Sequence, residues 1–190
     1  GDKTGDMPLS ELLKVWIKYK YNKPGAAFLG VAHRLDRPVS GVVAFAKTSK
    51  ALTRLNQMLK DKKLAKRYLA IVKNKPPKES DHLIHHMVKH EANNKSVCYD
   101  SPQPNSKPAE LIYSHIASSD NYHLLEVQLL TGRHHQIRAQ LAAIGCPIKG
   151  DLKYGAQRSN KDASIHLHAW KIELIHPVKN EPICITAPLP

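Results

Sequence analysis

Apolar residues near the start of the chain fall at Leu9, Leu12, Leu13, Trp16 and Ile17, the spacing of a helix with one buried face. Pro8 suits its first turn, and Asp6 is placed to cap it. NKPGA at 22–26 reads as a turn, and the Val-rich GVVAFAK at 41–47 as a strand. A second helix follows Thr48 or Ser49 as cap, with Ala51, Leu52, Leu55, Met58 and Leu59 at helical spacing. From residue 66 the period drops to two: in KRYLAIV, Tyr68, Ala70 and Val72 alternate with Arg67, Leu69 and Ile71, as in a strand.

Residues 74–108 are less regular, two Pro- and Lys-rich loops bracketing a strand-like HLIHHMVKH. ELIYSHIA and YHLLEVQLL form an expected antiparallel pair around the SSDN turn at 118–121. After Thr131-Gly132 the sequence HHQIRAQLAAIG predicts a helix that buries Ile137, Leu141 and Ile144. Gly145 stands at its C-terminal end, and Pro147 prevents continuation. SIHLHAWKIELIHP and PICITAP supply two last strands. No repeat and no linker divides the chain. The pattern implies one α+β domain over 1–190 with a mostly antiparallel or mixed sheet flanked by helices.

Composition narrows the class. Hydrophobic residues make up 42% of 190, enough for a substantial core. No apolar run is long enough to span a bilayer, and no secretory signal pattern opens the chain. The three cysteines, Cys98, Cys146 and Cys184, lack any paired spacing for disulfides or zinc, which points to a reduced, cytoplasmic setting. Charge changes the picture further. With 29 Lys and Arg against 16 acids, the net +13 and pI near 9.7 favour a polyanionic partner. Arg54, Lys60, Lys62, Lys63, Lys66 and Arg67 crowd into RLNQMLKDKKLAKR; a solvated helix face explains the first few, and nucleic acid best suits the whole.

Three segments carry candidate chemistry. In HRLDRPVSG at 33–41, Asp36 lies between Arg34 and Arg37, and neighbouring guanidinium groups favour an ionised carboxylate able to act as nucleophile or base. Taken alone, an Asp beside Pro and Gly more often satisfies a loop backbone. In TGRHHQIRAQL, Arg133 is placed at the start of a helix whose free N–H groups favour anions, and Arg138 flanks the buried face. Arg138 would otherwise be a surface ion-pair partner. PIKGDLKYGA at 147–156 combines two glycines with Lys149 and Lys153 and suits approach to a phosphate backbone, although an ordinary connection has similar composition.

These segments, in this order, resemble the RluA-type pseudouridine synthases. HRLDRPVSGVVAFAKTSKAL is similar to the family's His-Arg-Leu-Asp-x-x-Thr-Ser-Gly segment, and KRYLAIV to its Lys-x-Tyr-x-Ala-x-Val. LLTGRHHQIRAQLAAIGCPIKGDLKYGA is similar to Thr-Gly-Arg-x-His-Gln-Ile-Arg through Gly-Asp-x-x-Tyr-Gly, and IHLHAWKIELIHP to the closing Leu-His-Ala and His-Pro signature. The matches run from residue 33 to 177. The resemblance implies Asp36 as catalytic aspartate, Tyr68 as the ring stacking on a flipped uracil, and Arg138 as the partner of the aspartate. It also implies that Arg34 fills the space the uridine leaves. Lys66, Arg133, His135, Lys149 and Lys153 are the further candidates for contact with substrate RNA, with His135 ordering its segment.

The implied reaction detaches uracil, rotates it and rejoins it through C5, which requires no cofactor and no metal. The partner would be structured RNA, 23S rRNA or tRNA, bound by a monomer away from membranes. Base extrusion is required because a stacked base is unreachable. Val39 stands where the family has Thr, keeping the β-branched shape without the hydroxyl. Lys23-Pro24-Gly25 lies too close to His33 to be the family's earlier Lys-Pro-x-Gly element. The resemblance thus implies a chain that starts after the family's first strand, with no S4-type domain in front.

Other classes remain to be weighed. The histidines at 82, 85, 86, 90, 134 and 135 invite a metal, but neither HExxH nor a Cys pair completes a site, and surface or RNA-facing roles fit better. Alternation places His85 and His86 on opposite strand faces. A catalytically idle RNA-binding or ribosome-assembly protein would need none of Asp36, Tyr68 and Arg138. A deaminase would need zinc ligands, and a hydrolase a second acid or base.

Overall fold

The segments of strictest two-residue period pair in the middle of one sheet. In the computed structural model, which describes residues 5–190, the elements run in the following chain order. The N-terminal part holds α1 (Leu9–Lys20), β1 (Gly30–Val31), β2 (Ser40–Gly41), β3 (Phe45–Ala46) and α2 (Ser49–Lys60). Next come β4 (Ala65–Val72), β5 (Ser80–His90), β6 (Lys95–Tyr99), β7 (Lys107–Ser118) and β8 (His123–Leu129). The last part holds α3 (Gln136–Ala143), a 3-10 turn (Leu152–Tyr154), β9 (Leu167–Ile175) and β10 (Pro182–Thr186). The eight-stranded sheet runs β10-β9-β4-β8-β7-β5-β6, with β2 joining β9. All of its ladders are antiparallel except β2 with β9, so the sheet is mixed and the fold α+β.

Alternation decides the faces. Tyr68, Ala70 and Val72 of β4 join Leu111, Tyr113, Leu125 and Val127 in the principal core, which Ile137 and Leu141 of α3 cover. On the opposite face, Arg67 donates to Glu126 at 2.6 Å and to Glu173 at 3.3 Å. Partly exposed pairs of this kind contribute about 0–1 kcal/mol each. One arginine of the basic run is therefore held by acids on the far side of the sheet. The α2 helix begins as expected: Thr48 Oγ1 accepts the Ala51 N–H at 3.1 Å, a cap worth about 1 kcal/mol. Its Leu55 packs with Ala46, Leu64 and Ile172 in a second core.

Several expectations are corrected. Asp6 does not cap α1, whose N-cap is Pro8; it accepts a 2.6 Å bond from Arg37 instead. The strand expected over 41–47 is broken into β2 and β3. Gly41 has φ +119, and a Cβ there would collide with the Ala169 carbonyl, so this crossing excludes side chains. Beyond it the Ala44 N–H goes to the His33 ring rather than to a ladder, at 3.0 Å. The irregular 74–108 segment contains the long β5–β6 hairpin. Among the described residues no helix is long and apolar enough to cross a membrane.

Candidate active site

The segment around Asp36 lies between β1 and β2, where a turn closes with the Val39 N–H donating to the Asp36 carbonyl at 3.0 Å. Pro38 then accepts from the Ile165 N–H, also at 3.0 Å, which ties this loop to the chain just before β9. Asp36 is thereby set at one wall of a cleft of about 610 Å³. Arg34, Lys60, Lys62, Lys66, Tyr68, Arg133, His135 and Arg138 all contribute to its lining.

Arg138 joins two carboxylates. Its Nε and Nη2 donate to Asp151 at 2.7 and 2.8 Å, a bidentate fork, while Nη1 reaches Asp36 at 3.1 Å. The arginine is 5% exposed and Asp151 only 1%, so this is a buried charge pair and not a surface bridge. Burial pulls the arginine pKa down, but hydrogen bonds and charge from Asp151, then Asp36, outweigh it and leave a net rise. A guanidinium clamped on one side can present its remaining N–H only in a fixed direction. Asp36 is therefore oriented by a group that is itself immobilised.

Tyr154 supports the arginine from below, its ring centroid 5.0 Å from the guanidinium carbon. Its hydroxyl accepts the Ser96 N–H at 2.9 Å and lies 3.0 Å from His135 Nδ1. Burial, then the positive charge of Arg138, hold His135 down to about 3, so the ring is neutral. The other ring nitrogen of His135, Nε2, stands 3.8 Å from Asp36. His135 also has φ 52, a left-handed conformation that costs a non-glycine residue on the order of 1–3 kcal/mol. His134 stacks on it at 3.7 Å and meets Ser96 Oγ at 2.9 Å.

Tyr68 enters from β4. Burial and then the Asp36 charge push its hydroxyl up to about 12, so at neutral pH it is a phenol. Its strand neighbour Lys66 shares the face, and burial pulls that ammonium below the ordinary lysine value. His33, also in the wall, is neutral because burial, reinforced by Lys66, lowers it to about 4.

The α3 helix that carries Arg138 is itself fixed by buried amides. Gln136 Oε1 accepts from Thr131 Oγ1 at 2.7 Å and from the Arg133 N–H at 2.9 Å. Gln140 lies 2.9 Å from His85 Nδ1 and within 3.3 Å of the Leu83 and Ala109 carbonyls. His85 is thus a buried structural histidine, not a surface or RNA-facing one, and His86 lies on the other face.

The cleft gathers Asp36, Tyr68, Arg138, Arg34, Lys66, Arg133 and His135 from the sequence-derived candidates. Arg133 does not start the helix. The left-handed His135 delays α3 to Gln136, and the Arg133 side chain donates to the Pro108 carbonyl at 2.8 Å. Lys149 and Lys153 lie outside the cleft lining. Lys149 stands over the Tyr122 ring at 4.8 Å, and Lys153 donates to the Asn93 and Asn94 carbonyls at 3.3 and 3.1 Å. The 147–156 loop, expected to approach phosphate, instead delivers Asp151 and Tyr154 to Arg138, two residues that the motif match includes without a role. A signal was present: an arginine on an otherwise buried helix requires an acid. Among the described residues, no three His, Cys, Asp or Glu converge as metal ligands.

A mixed sheet with a cationic cleft and one oriented carboxylate defines an α+β domain with an active-site-like cavity. The solved structure titled Human RNA Pseudouridylate Synthase Domain Containing 4 shares this fold, with a TM-score of 0.81 and 23% identity over 98% of this chain and 80% of that one. The family model described as RNA pseudouridylate synthase matches residues 2–143. The chain belongs to this family, in its RluA branch. Among curated relatives, an uncharacterized RNA pseudouridine synthase of Chloroflexus aurantiacus is 36% identical over 85% of this chain and 50% of its own length. Ribosomal large subunit pseudouridine synthase C of Vibrio vulnificus is 32% identical, with 88% and 54% covered. tRNA pseudouridine synthase C of Salmonella typhimurium is 34% identical, with 83% and 67% covered. The chain thus spans about half the length of the first two of these relatives.

Proposed function

We propose that this protein isomerises uridine to pseudouridine in structured RNA, rRNA or tRNA, with residues 1–190 forming the catalytic domain. The observation that carries the reading is the Asp151–Arg138–Asp36 chain, which aims one carboxylate into a cleft beside Tyr68. A target uridine extruded from its stack pays a few kcal/mol for unpairing and needs a lined pocket to receive it. Tyr68 offers the uracil an aromatic face and a neutral hydroxyl. Asp36 acts at the sugar–base linkage, held in place by Arg138 and faced by Nε2 of neutral His135. Arg34, exposed at the cleft mouth, takes the place of the departed base in the RNA stack.

The base leaves, turns and reattaches through C5, and the product has the composition of the substrate. Lys60, Lys62 and Arg133 line the same cleft and supply positive charge for the flanking phosphates. The protein works as a monomer in the cytoplasm on this reading, without a cofactor. An idle RNA-binding role leaves the immobilised Arg138 and the aimed Asp36 without purpose. The test is Asp36→Asn: we expect pseudouridine formation, followed by tritium release from C5-labelled RNA, to vanish while RNA binding persists. Undiminished release in that variant would sink the assignment.

A further inference from the structure

An ammonium removed from water ordinarily regains its hydration from a carboxylate or from carbonyl oxygens. The Lys66 ammonium has neither among the described residues: its backbone pairs in the ladders to β8 and β9, but its Nζ enters no hydrogen bond or ion pair. The residue is only 9% exposed, yet it belongs to the cleft lining. Asp36 lines the same cleft and is bound instead to Arg138. Gly132 stands opposite: even a Cβ there would touch the Lys66 Nζ at 3.6 Å, and the absent side chain leaves the ammonium uncovered. Lys66 and Tyr68 occupy successive inward positions of β4, separated by roughly 7 Å along a strand. A flat ring lying on Tyr68 therefore has one edge toward Lys66.

We propose that Lys66 Nζ donates a hydrogen bond to a carbonyl oxygen of the flipped uracil and stabilises the negative charge that collects there as the base leaves the ribose. This rests on the isomerase reading given above. When the N1–C1′ bond breaks, its electron pair stays with uracil and spreads over N1 and the carbonyl oxygens, while the Asp36 carboxylate faces the electron-poor C1′. On rejoining, the C5=C6 π pair of the uracil anion forms the C5–C1′ bond. C5 then gives up its proton and N1 gains one, so no atom or electron is lost. A backbone phosphate would be met at the exposed Lys60 and Lys62, whereas the mostly buried Lys66, open only toward the cleft, meets the base. A donor that is weakly solvated beforehand gains most from charge appearing only during reaction.

The experiment begins by mapping the target uridine in total RNA from cells lacking the gene, treated with the wild-type protein. A transcript carrying that site is then made with uridine, 2-thiouridine or 4-thiouridine, and single-turnover rates and RNA affinities are measured for wild type, Lys66→Met and Lys66→Arg. We expect Lys66→Met to slow conversion about 100- to 1,000-fold, the usual loss for one charge-stabilising donor, with RNA affinity unchanged and Lys66→Arg partly active. Sulfur at one of the two carbonyls should slow the wild type and add nothing further in Lys66→Met, because the two changes remove one contact. The wild-type response to sulfur, and that of Lys66→Arg, stand even if Lys66→Met fails to fold. An unchanged rate, a loss confined to affinity as for a phosphate contact, or additive thio effects at both carbonyls would each overturn the assignment. Wild-type conversion abolished by Asp36→Asn keeps the isomerase reading when the Lys66 assignment fails. Absence of wild-type conversion on any RNA overturns both.

Discussion

Two helices of this protein break the usual correspondence between apolarity and burial in opposite directions. The N-terminal α1 is rich in large apolar residues, yet only Ile17 is buried, while Leu9, Leu12, Val15, Trp16 and Tyr19 are half or more exposed. The eight-residue α3 contains Gln136, Arg138 and Gln140, and all three are buried with Ile137, Ala139 and Leu141. The difference lies in partners. Each polar side chain of α3 meets a specific acceptor or donor, from the sheet, from the Asp36 and Asp151 loops, from the segment just before the helix, or from α3 itself, whereas the exposed residues of α1 face outward. Buried polarity that is fully satisfied is costly to rearrange, and the cleft is built at that place.

Breaking the α3 side of this contrast should have the largest effect. Arg138→Met strands Asp151 without its partner in the interior, and we expect a loss of about 3–5 kcal/mol in urea unfolding, together with loss of activity. A cost below 1 kcal/mol would show that the pair is solvated. Gln140→Ala should cost about 1–3 kcal/mol by leaving the Leu83 and Ala109 carbonyls and His85 unanswered, read by the same titration. At the other end, Leu12→Ser on α1 should change stability by no more than about 0.5 kcal/mol. A larger loss would mean that this face is covered.

Acid sharpens the comparison in another way. His135 is held to about 3 and His33 to about 4, both neutral in the folded protein. Unfolded, each takes up a proton near its ordinary value of about 6.5. Between that pH and about 4, the unfolded chain binds more protons, so stability falls as pH falls through this window and is unaffected by these groups above it. Thermal midpoints of His135→Asn should depend less steeply on pH there than those of the wild type. Parallel profiles would show that His135 titrates freely.

Much of this was legible before the structure. Thr48 announces α2 through its side-chain chemistry, and the alternation of β4, β7 and β8 follows from one wet and one dry sheet face. Asp36, Tyr68 and Arg138 were identified through motif resemblance, and the structure brings them to one cleft. What escaped was set by long-range contacts. The β6 strand, KSVCY, is short and buries only Ser96, so its own pattern carries little signal. Arg138 reads as an amphipathic-face residue because its counterion Asp151 lies 13 positions away, in a loop whose local composition is dominated by lysine and glycine. The same loop shows why composition misled: Lys153 is spent on the Asn93 and Asn94 carbonyls, while Asp151 and Tyr154 hold the site.

The central claim is that Asp36, aimed by a buried arginine, converts uridine in RNA. Its most direct test is to map pseudouridines in total RNA from cells carrying the wild-type gene, a deletion, or Asp36→Asn at the chromosomal locus. The account predicts at least one site present in the wild type and missing in both the deletion and Asp36→Asn cells, with the variant protein at normal abundance. A site that survives in the Asp36→Asn cells but disappears in the deletion would contradict it.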